Sequence, residues 1–164
     1  MTAGARDSRS ALAGSARGTI AATDLVGTWH LRTWVAEGND GTIVRPMGER
    51  PEGVLVYAPD GTMITTIGEA GRTPIDGGDM LAGPVAQRLA AMTSFIAYAG
   101  TFRVDGGDVL HDVTMSLFPN WVGTQQRRHA ELSPDGRELT LSADPFVVGG
   151  ERRTQRLTWE RNSA

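Results

Sequence analysis

Beyond position 24, short runs of alternating apolar and polar residues fill most of the chain, and turn-forming clusters separate them. The clusters are "GNDG" (38–41), "APDG" (58–61), "DGGD" (105–108), "FPNW" (118–121), "SPDG" (133–136) and "VVGG" (147–150). Pro presets φ, Asp bonds its own backbone and Gly takes positive φ, so each cluster predicts a turn. The runs between them predict strands at about 25–36, 53–58, 62–68, 97–104, 109–118, 123–132, 138–143 and 153–161, with one or two more between 42 and 50. One segment departs from this pattern. Leu89, Met92, Phe95 and Ile96 recur at helical spacing, which predicts a helix from about Pro84 to Phe95 with Pro84 in its first turn. Consecutive antiparallel strands with one inserted helix predict an all-β, up-and-down closed barrel of about eight to nine strands. Such closure removes sheet edges, and a barrel of this size holds one small ligand.

Period-two counting predicts which side chains face the interior. Val109, His111, Val113, Met115 and Leu117 form one inward set, and Tyr98, Gly100, Phe102 and Val104 form another. A two-residue loop at Gly106-Gly107 pairs Val104 with Val109 and Phe102 with His111, so the two inward sets agree. A tight turn at Pro119-Asn120 sets His111 opposite Arg128 and Val113 opposite Gln126. Ala130 and Leu132 are natural core positions, which brings Gln126 and Arg128 inside with them. Leu139, Leu141 and Ala143 line the next strand, Leu157, Trp159 and Arg161 the last, and Trp29, Leu31 and Val35 the first. The predicted interior therefore holds Tyr57, Tyr98, His111, Gln126 and Arg128 and no carboxylate on these strands. An inward arginine without an anionic partner is costly, and a ligand carbonyl or carboxylate fits its fork. Two other readings stay open: Arg128 reaching water or backbone carbonyls at a barrel mouth, and His111 as a satisfied core residue.

Composition changes this picture mainly by exclusion. The chain has 164 residues, enough for one core, and a net charge of −3 that makes neither nucleic acid nor an anionic membrane a natural partner. It has no cysteine, which removes disulfides, thiolate metal sites and a cysteine nucleophile and suits a cytoplasmic location. Residues 1–22, rich in Ala, Gly, Ser and Arg, read as a disordered extension before a barrel domain spanning 23–164. No apolar stretch suits a signal sequence or a bilayer span. His30, His111 and His129 have no metal-site spacing, no phosphate loop or nucleophile elbow is present, and no cofactor is expected.

The run "LVGTWHLRTW" (25–34) resembles the glycine-x-tryptophan first strand of lipocalin and calycin barrels. Together with "GVLVYAPDGTM" (53–63), "YAGTFRVDGGDVLHDV" (98–113), "PNWVGTQQRR" (119–128) and "LTWER" (157–161), it resembles the bacterial and fungal lipocalin-like domain family across most of 24–161. The resemblance implies a small antiparallel barrel with an internal cavity. It also implies that Arg161 lies across Trp29 at the barrel base, so that Trp29, Trp159 and Arg161 are structural.

Two functional expectations follow. In the first, the barrel binds a mostly apolar metabolite that carries a carbonyl or carboxylate. Arg128 and Gln126 anchor it, Tyr57, Tyr98, Phe102 and Met115 supply contact area, and the helix with loop 68–83 forms a lid. In the second, implied by the resemblance, the same cavity acts as a cofactor-free cyclase or isomerase of a natural-product pathway. Arg128 and Gln126 then polarise a carbonyl, and His111 or a tyrosine moves a proton. A filled barrel with an interaction role is the third and plainest reading.

Overall fold

A computed structural model describes residues 19–79, 81–148 and 150–161. Residues 1–18 of the expected extension lie outside the described residues, whereas Ile20 is already buried in the core. A short helix, α1 (Ala22–Leu25), leads into β1 (Gly27–Gly38), β2 (Ile43–Val44), β3 (Glu52–Tyr57) and β4 (Thr62–Gly68). Helix α2 (Val85–Thr93) is followed by β5 (Phe95–Asp105), β6 (Asp108–Ser116), a 3-10 turn (Pro119–Trp121), β7 (Gln125–Leu132), β8 (Glu138–Val148) and β9 (Glu151–Arg161). Neighbours pair antiparallel in the order β1-β3-β4-β5-β6-β7-β8-β9, and β9 returns to pair with β1. The result is the expected closed eight-stranded barrel, with β2 as a short extra strand at the end of β1.

The β5–β6 hairpin has the expected register, with Val104 opposite Val109 and Phe102 opposite His111. Beyond it, single extra residues change the phase. Arg32 has no partner between Leu31 and Thr33, so Trp34 and Ala36 turn inward in place of Val35. Thr114 is skipped between the Gly100–Val113 and Ala99–Met115 pairs, which turns Met115 outward. The expectation that Met115 supplies ligand contact is thereby corrected: it is 71% exposed on the outer wall. Both are β-bulges, and one inserted residue reverses the side every later residue faces.

The β6–β7 connection is longer than a tight turn. The 3-10 turn sets the chain back, and Val113 exchanges hydrogen bonds with Gly123 and Thr124, each at 2.9 Å. The register therefore shifts by two residues: His111 faces Gln126 and Val109 faces Arg128, where sequence reasoning had His111 opposite Arg128 and Val113 opposite Gln126. Parity survives because the shift is even. Helix α2 is shorter than expected because Phe95 and Ile96 pair with Gly68 and Ile67 of β4. Sheet hydrogen bonds capture these residues and end the helix at Thr93. None of its residues is buried, and its ties to the preceding loop are polar: Arg72 donates to the Ala91 carbonyl at 2.7 Å, and Gln87 donates to Asp76 at 2.7 Å.

The core runs down the barrel axis through Leu55, Met63, Val109, Leu139 and Trp159 to Trp29, which is fully buried. The Trp29 indole N–H donates to the Leu25 carbonyl at 2.8 Å. The Arg161 guanidinium lies 4.2 Å from the Trp29 ring and donates to the Asp24 carbonyl at 2.6 Å. This cation–π stack seals one end of the barrel, and α1 forms its cap.

Trp29→Ala is expected to cost about 3–5 kcal/mol in denaturant unfolding, as for truncation of a large buried aromatic. Gly100 stands beside the second bulge, where a Cβ atom would collide with the Asp112 carbonyl oxygen. That obstacle is backbone, so Gly100→Ala should force β5 and β6 apart and cost about 1–3 kcal/mol or more, read as a lowered unfolding midpoint.

Candidate functional site

Three strands converge on the buried imidazole of His111. Its position on β6 alternates with the inward Val109 and Val113, and it is 1% exposed. Tyr57, at the end of β3, places its hydroxyl 2.7 Å from His111 Nε2, and Tyr98 on β5 places its hydroxyl 3.0 Å from Nδ1. Phe102 stacks at 4.4 Å on Tyr57 and walls off that side. The tautomer follows from counting hydrogens. A neutral imidazole has one N–H and one lone pair. The Tyr57 hydroxyl is buried, and among the described residues His111 is its only hydrogen-bond partner. Tyr57 therefore satisfies its hydrogen by donating to Nε2, and Nδ1–H donates to the Tyr98 oxygen. The Tyr98 hydrogen is left to point elsewhere.

Electrostatics agree with a neutral imidazole. Burial, with Arg128 nearby, drives the His111 pKa down to about 3. Burial also raises both tyrosines: Tyr57 well above its ordinary value, and Tyr98 less so because Arg128 opposes the shift. The Arg128 guanidinium lies close enough to the Tyr98 hydroxyl to act on its pKa. Its two terminal nitrogens donate to the Arg127 carbonyl at 2.9 Å and to the Gln126 Oε1 at 3.3 Å. Both acceptors are neutral.

Tyr98, His111 and Arg128 line a partly enclosed cavity with Trp34, Gln155 and Trp159. Its volume is about 50 Å³. Among the described residues, no carboxylate lines it. Trp121, from the 3-10 turn, packs edge-on against Tyr98 at 5.6 Å and lines both this cavity and an outer groove beneath α2.

Of the residues singled out from sequence, Tyr98, His111 and Arg128 meet at the cavity. Tyr57 and Phe102 back them without lining it, and Gln126 braces the Arg128 fork from half-buried β7. Met115 is outside. Sequence reasoning missed Trp34, Thr65, Trp121 and Gln155. Thr65 and Gln155 were within reach of period-two counting, from Met63 and Ile67 and from Leu157 and Trp159. Trp34 was not, because the Arg32 bulge moves it inward.

The other histidines stay outside the cavity. His129 bridges Asp108 at 2.7 Å and Asp144 at 3.1 Å, and those carboxylates raise its pKa. Among the described residues, no cluster of three or more His, Asp or Glu side chains is arranged to hold a metal ion. Among the described residues, no helix is long and apolar enough to cross a membrane.

A closed up-and-down barrel, sealed at one end by an arginine over a tryptophan and holding a polar-edged cavity, has the architecture of the small-molecule-binding barrels. The chain belongs to the lipocalin-like domain family, which matches it over residues 26–162. It is similar to the 4'-hydroxy-3'-methoxypropiophenone carrier protein ppsC of Aspergillus oryzae, with 33% identity over an alignment of 94 residues that covers 52% of this chain and 84% of that relative.

The low pKa of His111 has a definite sign. The unfolded chain takes up its proton near the ordinary value of about 6.5, whereas the folded chain waits until about 3, so this group withdraws stability as pH falls through that window and none above it. Imidazole resonances of His111 should keep neutral Nδ1–H values down to about pH 5 in NMR titration. Ordinary titration near pH 6.5 would contradict the buried two-tyrosine arrangement.

Proposed function

We propose that this chain is a carrier barrel that encloses a mostly apolar metabolite and holds one of its oxygens, a carbonyl or carboxylate, at Arg128 and Tyr98. The observation that carries this reading is the uncompensated cation: Arg128 faces a cavity whose lining has no carboxylate, and its protein partners are neutral oxygens. A guanidinium in such surroundings favours an anionic or strongly polarised oxygen. The Tyr98 hydroxyl adds a directed donor, because His111 already supplies a hydrogen to its oxygen. Leu55, Ile67, Ile96, Leu141 and Leu157 give the cavity the apolar walls typical of ligand sites. The relative from Aspergillus oryzae is named as a carrier of an aryl ketone, which has the chemistry this site suits.

The cyclase or isomerase reading uses the same residues with less support. A catalytic His111 would have to exchange protons, yet its two nitrogens are both engaged and the relay from Tyr98 ends at the buried Tyr57. Such a chain fixes the direction of a hydrogen bond better than it turns protons over.

Arg128→Met tests the anchor. Met retains much of the apolar stem and removes the charge, so the fold should persist. Affinity for 4'-hydroxy-3'-methoxypropiophenone, followed through quenching of the cavity tryptophans, should fall by roughly tenfold or more, as for loss of a hydrogen bond to a charged group. Unchanged affinity would remove Arg128 from the site. Recovery of a ring-closed or isomerised product, detected by mass spectrometry and chromatography, would favour the enzymatic reading.

A further inference from the structure

We propose that the cavity has a second polar anchor, made by the amide of Gln155 on the wall opposite Tyr98 and two strands round from Arg128, and that it selects ligands bearing hydrogen-bond acceptors on two sides. This inference rests on the carrier reading above and specifies the class of molecule carried.

The placement follows from topology. Around the ring β1-β3-β4-β5-β6-β7-β8-β9, strands β5 and β9 are four steps apart in either direction. Tyr98 on β5 and Gln155 on β9 therefore stand on opposite walls, and both line the same cavity. The orientation of the amide is set by its partner. An indole N–H only donates, so the 2.5 Å bond from Trp34 Nε1 fixes Oε1 of Gln155 toward Trp34. The amide nitrogen then carries two hydrogens with no acceptor among the described residues, on a side chain that is 1% exposed. Two other lining groups repeat the pattern: Trp159 Nε1, on the same strand as Gln155, and Thr65 Oγ1, on β4 opposite Tyr98, are buried without partners among the described residues. Buried polar groups of folded proteins are almost always paired. Three unpaired ones in the wall of one cavity point to an occupant that pairs them. The unpaired atoms of Gln155 and Trp159 are both N–H donors, so an occupant that pairs them brings lone pairs to this side as well as to Arg128. A flat ring bearing a ketone on one side and hydroxyl or alkoxy oxygens on the other meets both conditions.

Three probes separate the two anchors: the hydroxymethoxy propiophenone used above, propiophenone without ring oxygens, and propylguaiacol, which keeps the ring oxygens and lacks the ketone. Titration of the wild-type protein needs no variant to fold. The two-sided probe is expected to bind at least about tenfold more tightly than either one-sided probe, because a site built to hydrogen-bond a substrate group rejects analogues that lack it. Gln155→Glu keeps an oxygen for Trp34 and removes both amide hydrogens. It should abolish the advantage of the two-sided probe over propiophenone, read as the ratio of the two affinities, since only the two-sided probe uses the second contact. Equal affinity of the two-sided probe and propiophenone for the wild type would overturn the second anchor and leave the carrier reading standing. Absence of binding by all three would overturn both.

Discussion

The ladder between β1 and β9 turns a twisted sheet into a container. It runs from Trp29 opposite Arg161 at one end to Gly38 opposite Arg153 at the other. Without it, two long strands would present unpaired backbone groups, and the inner face would be one side of an open sheet. With it, eight strands share a single interior. The same ladder brings the Arg161 guanidinium over the Trp29 ring, so closure of the wall and closure of the floor are one event. It also carries Gln155 round to face Tyr98, residues that lie 57 positions apart in the chain (155 − 98).

A polar interior inside such a wall is tolerable only under strict conditions. His111 is buried as a neutral ring with a donor on one nitrogen and an acceptor on the other, and both tyrosines remain phenols. This network is internally satisfied and costs little beyond desolvation. Arg128 lies at its rim, half-buried, where its fork is partly held by neutral oxygens. The gradient from a satisfied centre to an unsatisfied rim gives the cavity its chemical direction. It separates residues that shape the site from residues left to meet something else.

Much of this was legible in the sequence because turns and alternation are local properties. The glycine, proline and aspartate clusters marked the strand ends, and the double glycine after Val104 gave the β5–β6 register correctly. Parity placed His111, Tyr98 and Arg128 inside. It failed wherever the backbone inserts a residue, because alternation carries no signal of a bulge: Met115 and Val35 exchanged sides with Ser116 and Trp34 as a result. The 3-10 turn after Phe118 misplaced Arg128 along the β6 ladder, since a Pro-Asn pair fits a two-residue turn as well as a longer one. Thr65 and Gln155 were countable from their neighbours. That their polar atoms have no partners depends on distances across the barrel, which no local pattern encodes.

The bulges also govern how this wall tolerates changes of length. Each sets two residues of one strand against one of its neighbour, so the extra residue is taken up locally and the ladder beyond it keeps its pairs. Removal of Thr114 would leave Met115 opposite Ala99 on the outer face and Ser116 opposite Tyr98 on the inner, and loss of Arg32 would leave Trp34 inside and Val35 outside. One-residue length differences at these two positions are thus silent for the cavity, and relatives that differ there would present the same interior from texts of different length.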